Sequence, residues 1–569
     1  MLPASDTAAY KRKLHGWLSY AFASEVFVIV SLTLFLPICL EQFARDNGYL
    51  LPDRKERCSS VVKLSQRTEA LVVPDVRCVV KIGWAWIDSA SFSLYVYSIS
   101  VALQALTVIS MGGIADYPPH RKRLLLLFAL LGASSATTFL VLPSTSPMWF
   151  LVAPLAVCAN VGFGASVVAM NAYLPTLAKE SPEVRQIQDE IENKHHTPSG
   201  PVLIGEIEPD ADDDRTLVSS DATSPLIQRT RSEEEEVEEL KAAYDAELSR
   251  VMSRISSFGI ALGYGAGIVL LIIALIPVTM LHGSTFALRL AIGLSGIWWA
   301  AFSIPAALWL PGAEDPRTNG VEAGSDELGV REWDTKREIV LAWKRLGSML
   351  RWTEMKKLRN TFKYLAAWFL LSDGFTTITS TAILFGKTTL NMQPSALILV
   401  GILTPTSGIL GSLAWPYIQR RYGWTNLKVI VILVMMASAI PAYGCLGFLG
   451  IFQGDATRFG GLTTQGEMFA LAVYFGSVYG AFQGYARAFY AELLPPGEEA
   501  RWYGLFSITD KSSSFIGPLI VGLIADTTGN IRYAFFFLVV MIWMAMPILM
   551  SVDVDKGRKD ARDYRYTAT

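Results

Sequence analysis

Residues 364–385, YLAAWFLLSDGFTTITSTAILF, are an apolar run with one acid, Asp373, near the middle. As a helix rising 1.5 Å per residue, the run is long enough to cross about 30 Å of hydrocarbon. A carboxylate at that depth costs roughly 2.5–3.5 kcal/mol on insertion scales. Protonation, a partner or a water-filled cavity must offset the cost. Residues 17–40, WLSYAFASEVFVIVSLTLFLPICL, are a second apolar run with one acid, Glu25. The pairs Ser24-Glu25 and Ser372-Asp373 match, and each acid follows a tryptophan, Trp17 or Trp368, by less than three turns. The chain therefore reads as two half-chains, each opening with an acid-bearing helix.

Outward from these two runs, twelve segments reach spanning length: 16–40, 91–115, 124–143, 148–174, 255–280, 286–310, 361–385, 394–418, 427–450, 466–490, 503–526 and 531–552. They are called spans one to twelve. A soluble core accounts for one or two such runs, not for twelve. The expected class is an all-α polytopic membrane protein with 12 transmembrane helices in two six-helix halves. No Gly-x-Ser-x-Gly, His-Glu-x-x-His or phosphate-cradling glycine loop occurs, so the chain does not read as an enzyme. It does not read as a nucleic-acid binder either, and no metal site is expected.

The net charge of −2 hides two opposite parts. Residues 179–250 hold 20 Asp/Glu against 8 Lys/Arg, and the remainder is basic. Short basic flanks set the orientation. Lys11, Arg12 and Lys13 precede span one, Arg121, Lys122 and Arg123 precede span three, and Arg420 and Arg421 follow span eight. With twelve spans these all fall on one side, which places both termini in the cytosol. The organisation follows: a cytosolic N-terminus (1–15), four helices (16–174) with a large non-cytosolic loop (41–90), an acidic linker expected to be disordered (175–254), two helices (255–310), a cytosolic linker (311–360), six helices (361–552) and a tail (553–569).

Within loop 41–90 the runs SSVVKL and EALVVP have strand-like composition, and the loop holds both Cys58 and Cys78. Bridged and free states of that pair are both open; an oxidising compartment favours the bridge. In the acidic linker, Asp213 with Leu217-Val218 and Ser224-Pro225-Leu226-Ile227 resemble sorting signals for transport machinery, but plain solvated linker is the stronger reading. In 311–360, Ile339, Trp343, Leu346 and Leu350 recur at helical spacing beside Lys344 and Arg345. That helix either lies on the membrane interface or packs beneath the bundle.

The second half repeats features of the first. Asn171-Ala172-Tyr173-Leu174-Pro175 followed by Ser256-Ser257-Phe258 matches Phe489-Tyr490-Ala491-Glu492-Leu493-Leu494-Pro495 followed by Ser513-Ser514-Phe515, with the acidic block inserted in the first copy. After span two, Gly112-Gly113-Ile114-Ala115-Asp116 and the basic Arg121 and Arg123 resemble the signature of major facilitator transporters. There the glycines permit close helix approach and the acid faces a helix N-terminus. Residues 411–416, the corresponding place in the second half, have no acid.

A narrower resemblance rests on three stretches: GWLSYAFASEVFVIVSLTLFLPICLEQFARDNG, KYLAAWFLLSDGFTTI and YARAFYAELLPPGEEARWYGLFSITDKSSSFIGPLIVGLIAD. The chain resembles the autophagy-related vacuolar amino-acid effluxers of fungi, a divergent major-facilitator family. The resemblance covers all spans but not the acidic insert. It implies a multi-pass vacuolar membrane protein that exports amino acids, leucine and similar neutral residues first, to the cytosol. A facilitator for another solute and a scaffold for autophagy factors are the competing readings.

In this architecture spans one, four, seven and ten line a central cavity. Their polar residues are Ser24 and Glu25, Asn160, Asn171 and Tyr173, Asp373, Thr376 and Thr377, and Tyr479, Gln483 and Arg487. A zwitterion needs an anion near its ammonium, which Glu25 or Asp373 can supply. It needs donors near its carboxylate, which Asn171, Gln483 or Arg487 can supply. The competing role for the hydroxyls and amides is to tie helices together. Asp373 keeps three roles open: ammonium partner, proton site or helix lock. No cofactor is expected beyond coupled protons. Arg501, Asp510 and Lys511 are read as a cytosolic latch or as ordinary helix-end charges.

Overall fold

The computed structural model describes residues 4–58, 77–116, 118–196, 224–312, 335–449, 459–495 and 499–564. Helix covers most of each of the twelve predicted segments. Nine described helices are long and apolar enough to cross a membrane. The other three segments are helical as expected: Pro118–Thr138, Gln465–Ala491, and the pair Glu499–Ser513 and Ile516–Thr528. The first opens with a basic cluster, the second carries many polar residues, and the third is broken.

Proline explains two departures from regular helix. Span one runs as α-helix over Ala4–Val26, widens to a π-helix over Phe27–Phe35 and resumes at Leu36–Asp46, with Pro37 in its first turn. Span eleven breaks between Ser513 and Ile516 because Pro518 offers no N–H to the preceding turn and its ring crowds the carbonyl of Ser514. The matching place in the first half, Ser256-Ser257-Phe258, has no such proline and lies inside the continuous helix Ser224–Met280.

Small residues set the closest crossings. A Cβ added at Gly411, Gly476 or Gly480 would strike backbone across the contact between spans eight and ten. At Gly112 a Cβ would meet nothing within 4 Å, so the close approach expected there does not occur. In the second half, aromatic side chains stack between spans seven, ten and eleven. Trp368 lies 4.5 Å from Phe506 and 5.8 Å from Phe482, and Phe375 lies 4.3 Å from Phe482 and 5.3 Å from Tyr479, centroid to centroid.

The acidic linker is not wholly irregular. Leu174–Lys179, Pro182–His196 and the start of Ser224–Met280 are helical. Lys13–Glu180 and Arg254–Glu183 pairs, both 2.9 Å, tie this region to the bundle. The helix at the end of the linker agrees with its Glu and Lys spacing. The Asp213 to Val218 motif lies outside the described residues. The second linker forms a helix at Thr335–Met349, where Trp343 donates to Ser110 Oγ (3.2 Å) at the end of span two. It thus packs beneath the bundle while Trp343 stays 40 % exposed.

Loop 41–90 carries a three-stranded antiparallel sheet: β1 (Tyr49–Leu50), β2 (Cys78–Ile82) and β3 (Ala85–Asp88). SSVVKL and EALVVP, where strands were expected, lie outside the described residues. Cys58 and Cys78 are disulfide-bonded.

Candidate functional site

Asp373 is 3 % exposed and accepts from two neighbours. Its two oxygens accept from the Gly517 N–H at 3.0 and 2.9 Å, and Oδ1 also accepts from Thr377 Oγ1 at 3.3 Å. The carboxylate therefore caps the N-terminus of Ile516–Thr528, the piece of span eleven nearer loop 41–90 and here called outer, with Glu499–Ser513 the inner one; free N–H groups and the helix dipole there favour an anion. Ser372, one residue earlier, donates to Asp510 Oδ1 on the inner piece. Consecutive residues of span seven thus brace both lips of the break. In this conformation the hydrogen bonds of Asp373 and Ser372 tie span seven to both pieces of span eleven.

Glu25, its counterpart in span one, is half-buried and has no hydrogen bond or ion pair among the described residues. Its methylenes lie against Gly263 of span five, where a Cβ would come within 2.5 Å. The charges of Lys511 and Arg487 act on it from spans eleven and ten. Arg487 is exposed, and Lys511 retains 42 % of its side-chain surface while paired with Asp510 at 3.3 Å. Charged groups within membrane spans rarely face lipid, so the space between the halves that these groups share is the candidate site. Tyr264, on which Glu25 and Arg487 both act, stands on the same space, as does Tyr479, which accepts from Gln483 Nε2 at 2.8 Å.

The other expected residues divide. Asn171 is exposed at the inner end of span four, and Thr376 is half-buried. Tyr173 is buried, donates to the Pro311 carbonyl (3.0 Å) and lies under the Arg121 guanidinium (5.0 Å), so it holds the first half together. Asn160 donates to Ser100 Oγ (2.7 Å) and its carbonyl accepts from Gln104 (3.0 Å), tying span four to span two. Ser24 is buried, and its hydroxyl has no partner among the described residues. Arg123 is exposed and Arg501 half-buried. Gly113 lies within the helix Ser89–Asp116, and the burial of Gly113 and Asp116 is outside what is described. Tyr264 was missed because phenols are common in apolar spans; its signal was the flanking Gly263 and Gly265.

The hydrogen bonds joining the two halves among the described residues lie toward the loop 41–90 side. Ser98 donates to the Phe515 carbonyl (2.7 Å) and Ser91 to that of Gly522 (2.8 Å). Arg77, beside the bridged Cys78, donates to the carbonyls of Asp526 (2.7 Å) and Ala525 (3.4 Å) in the last turn of span eleven. In exchange Asp526 Oδ1 accepts from the Asp88 N–H (2.8 Å) at the start of span two. Burial pushes the Asp88 carboxyl up to about 6, against its hydrogen bond from Ala90 and the nearby Arg77 charge. Span eleven closes at Gly529, φ +76°, where a Cβ would strike Arg77.

Residues 9–562 match the family model described as vacuole effluxer Atg22 like. Autophagy-related protein 22 of Cryptococcus neoformans var. neoformans is 39 % identical over 97 % of this chain and 96 % of its own length. Autophagy-related protein 22-1 of Penicillium rubens is 39 % identical over 98 % and 93 %. Among solved structures, the chain is similar to the POT family transporter PepTSo (TM-score 0.52, 11 % identity, 95 % of this chain and 98 % of that one). It is also similar to the inward open xylose transporter XylE from E. coli (TM-score 0.51, 10 % identity, 96 % of each). These two likenesses show the fold, that of major facilitator transporters.

Proposed function

This chain belongs to the Atg22-like vacuole effluxer family of membrane transporters, and we propose that it exports amino acids, leucine and similar neutral residues foremost, from the vacuolar lumen to the cytosol by alternating access. The observation that carries the reading is the division of charge across the central space. Glu25 stands on the first half, and Arg487 and Lys511 stand on the second. A zwitterion bridges such a pair of walls, ammonium to Glu25 and carboxylate to the basic side, and an ion of one charge does not. Charge-assisted hydrogen bonds of this kind are the strong ones in a low-dielectric site.

The basic flanks support a luminal position for loop 41–90. Closure on that side then corresponds to the state that releases cargo to the cytosol. We assign proton coupling to Glu25, because a proton neutralises an unpartnered acid once the substrate ammonium has left. Asp373, which already accepts from Gly517 and Thr377, fits that role less well in this state.

During nitrogen starvation, cells lacking the gene are expected to accumulate leucine-like residues in the vacuole. Unchanged vacuolar content contradicts the reading. A chain shortened by residues 197–223 is expected to keep its flux, whereas a scaffold acting through that linker loses its effect.

A further inference from the structure

We propose that Lys511 holds the carboxylate of the transported zwitterion, and that Ser372 and Asp373 are positioning residues that aim Lys511 by bracing the break in span eleven. The inference rests on the reading of the chain as an amino-acid carrier and names the specificity residue within it.

An unbroken helix would carry residue 511 on one rigid axis with the outer part of the span. The break separates an outer piece, fixed to the first half through Phe515, Gly522 and Asp526, from an inner piece that carries Asp510 and Lys511. The inner piece is fixed instead to span seven. Ser372 donates to one oxygen of Asp510, and Lys511 pairs with the other at 3.3 Å. Ser513 and Ser514 turn back onto the Asp510 carbonyl at 3.0 and 2.8 Å, which secures the lip. On the far lip Asp373 takes the Gly517 N–H. Lys511 is thus bounded on both sides by contacts from two consecutive residues of one helix.

An ammonium has three donors, and Asp510 engages one face of it. The remaining surface meets the space that Glu25 faces from the other half. Only one Asp510 oxygen reaches Lys511, because the other accepts from Ser372. A substrate carboxylate completes the ammonium's shell.

Reconstituted liposomes with leucine and leucinamide test the assignment. Both probes carry the ammonium, and only leucine carries the carboxylate. The wild type is expected to prefer leucine by about tenfold in KM, the size of one charge-assisted hydrogen bond. Lys511→Gln should raise the leucine KM by about tenfold with little change in turnover and leave leucinamide within about twofold. Lys511→Arg should recover most of the preference. Ser372→Ala and Asp373→Asn should raise the leucine KM less, with leucinamide again spared. If Lys511→Gln keeps the wild-type leucine preference, the assignment is overturned while the carrier reading stands. If the wild type moves neither compound, the carrier reading itself fails. Should Lys511→Gln carry neither, Lys511→Arg decides: a kept preference supports the assignment and a lost one overturns it.

Discussion

Asp373 and Glu25 occupy matching places in the two halves and meet different surroundings. Asp373 spends its lone pairs on Gly517 and Thr377, while Glu25 has no described partner and faces the opposite half's cations. Asp373→Asn loses the charge-assisted part of the cap. It is expected to cost about 1–3 kcal/mol, read as a lower melting temperature in detergent, while proton-gradient dependence of leucine efflux from vesicles stays as in the wild type. Glu25→Gln is expected to abolish that dependence. Gradient dependence lost in Asp373→Asn and kept in Glu25→Gln would reverse the assignment. The two acids were equally visible in the sequence. Their roles were not, since a lock and a binding group differ only in what approaches from another helix.

At the scale of elements, hydropathy and length carried most of the reading, because each span must satisfy its backbone internally and be apolar over about 20 residues. The break in span eleven was less visible. Its apolar run is continuous, and only Pro518, absent from the first-half copy, marks the site. Gly517→Ala should be strongly destabilising, because a Cβ there lies 2.8 Å from Asp373 Oδ1 and against Thr377. Wild-type melting behaviour in that variant would argue against the cap. The hairpin β2–β3 had a legible signal in the alternation around Gly83, φ +60°, but its strands are short. The disulfide was legible only as two cysteines in one loop; mass mapping without reduction should recover a Cys58–Cys78 peptide pair, and free thiols at both would contradict it. At the end of the acidic linker the Glu and Lys spacing made the helix legible, whereas elsewhere in it charge alone does not distinguish a solvated coil from a solvated helix.

At the scale of the molecule, the two halves meet on the loop side through an exchange of helix ends: Arg77 on the end of span eleven, Asp526 on the start of span two. Arg77, Asp526 and Glu41 act on Asp88 there, with Glu41 paired to Arg45 and Tyr95 alongside. Asp88 has a carboxyl raised from 3.8 to about 6 in the closed latch, so the proton binds the closed state more tightly than an open, solvated one. Closure therefore gains as pH falls through about 6 and gains nothing more below about 4. At pH 5 the latch should favour closure by about tenfold over its value above pH 7. Spin labels at positions 282 and 393 report the loop-side separation: shorter distances should dominate on acidification, and Asp88→Asn should remove the dependence. Distances that lengthen with acid would contradict the sign.

The division of charge across the cavity is tested most directly by saturable efflux of labelled leucine from liposomes holding the wild type or Glu25→Gln. The wild type should carry leucine above empty liposomes with saturation, and Glu25→Gln should lose that flux by at least about tenfold. Leucine flux indistinguishable from empty liposomes, or flux unchanged by Glu25→Gln, would contradict it.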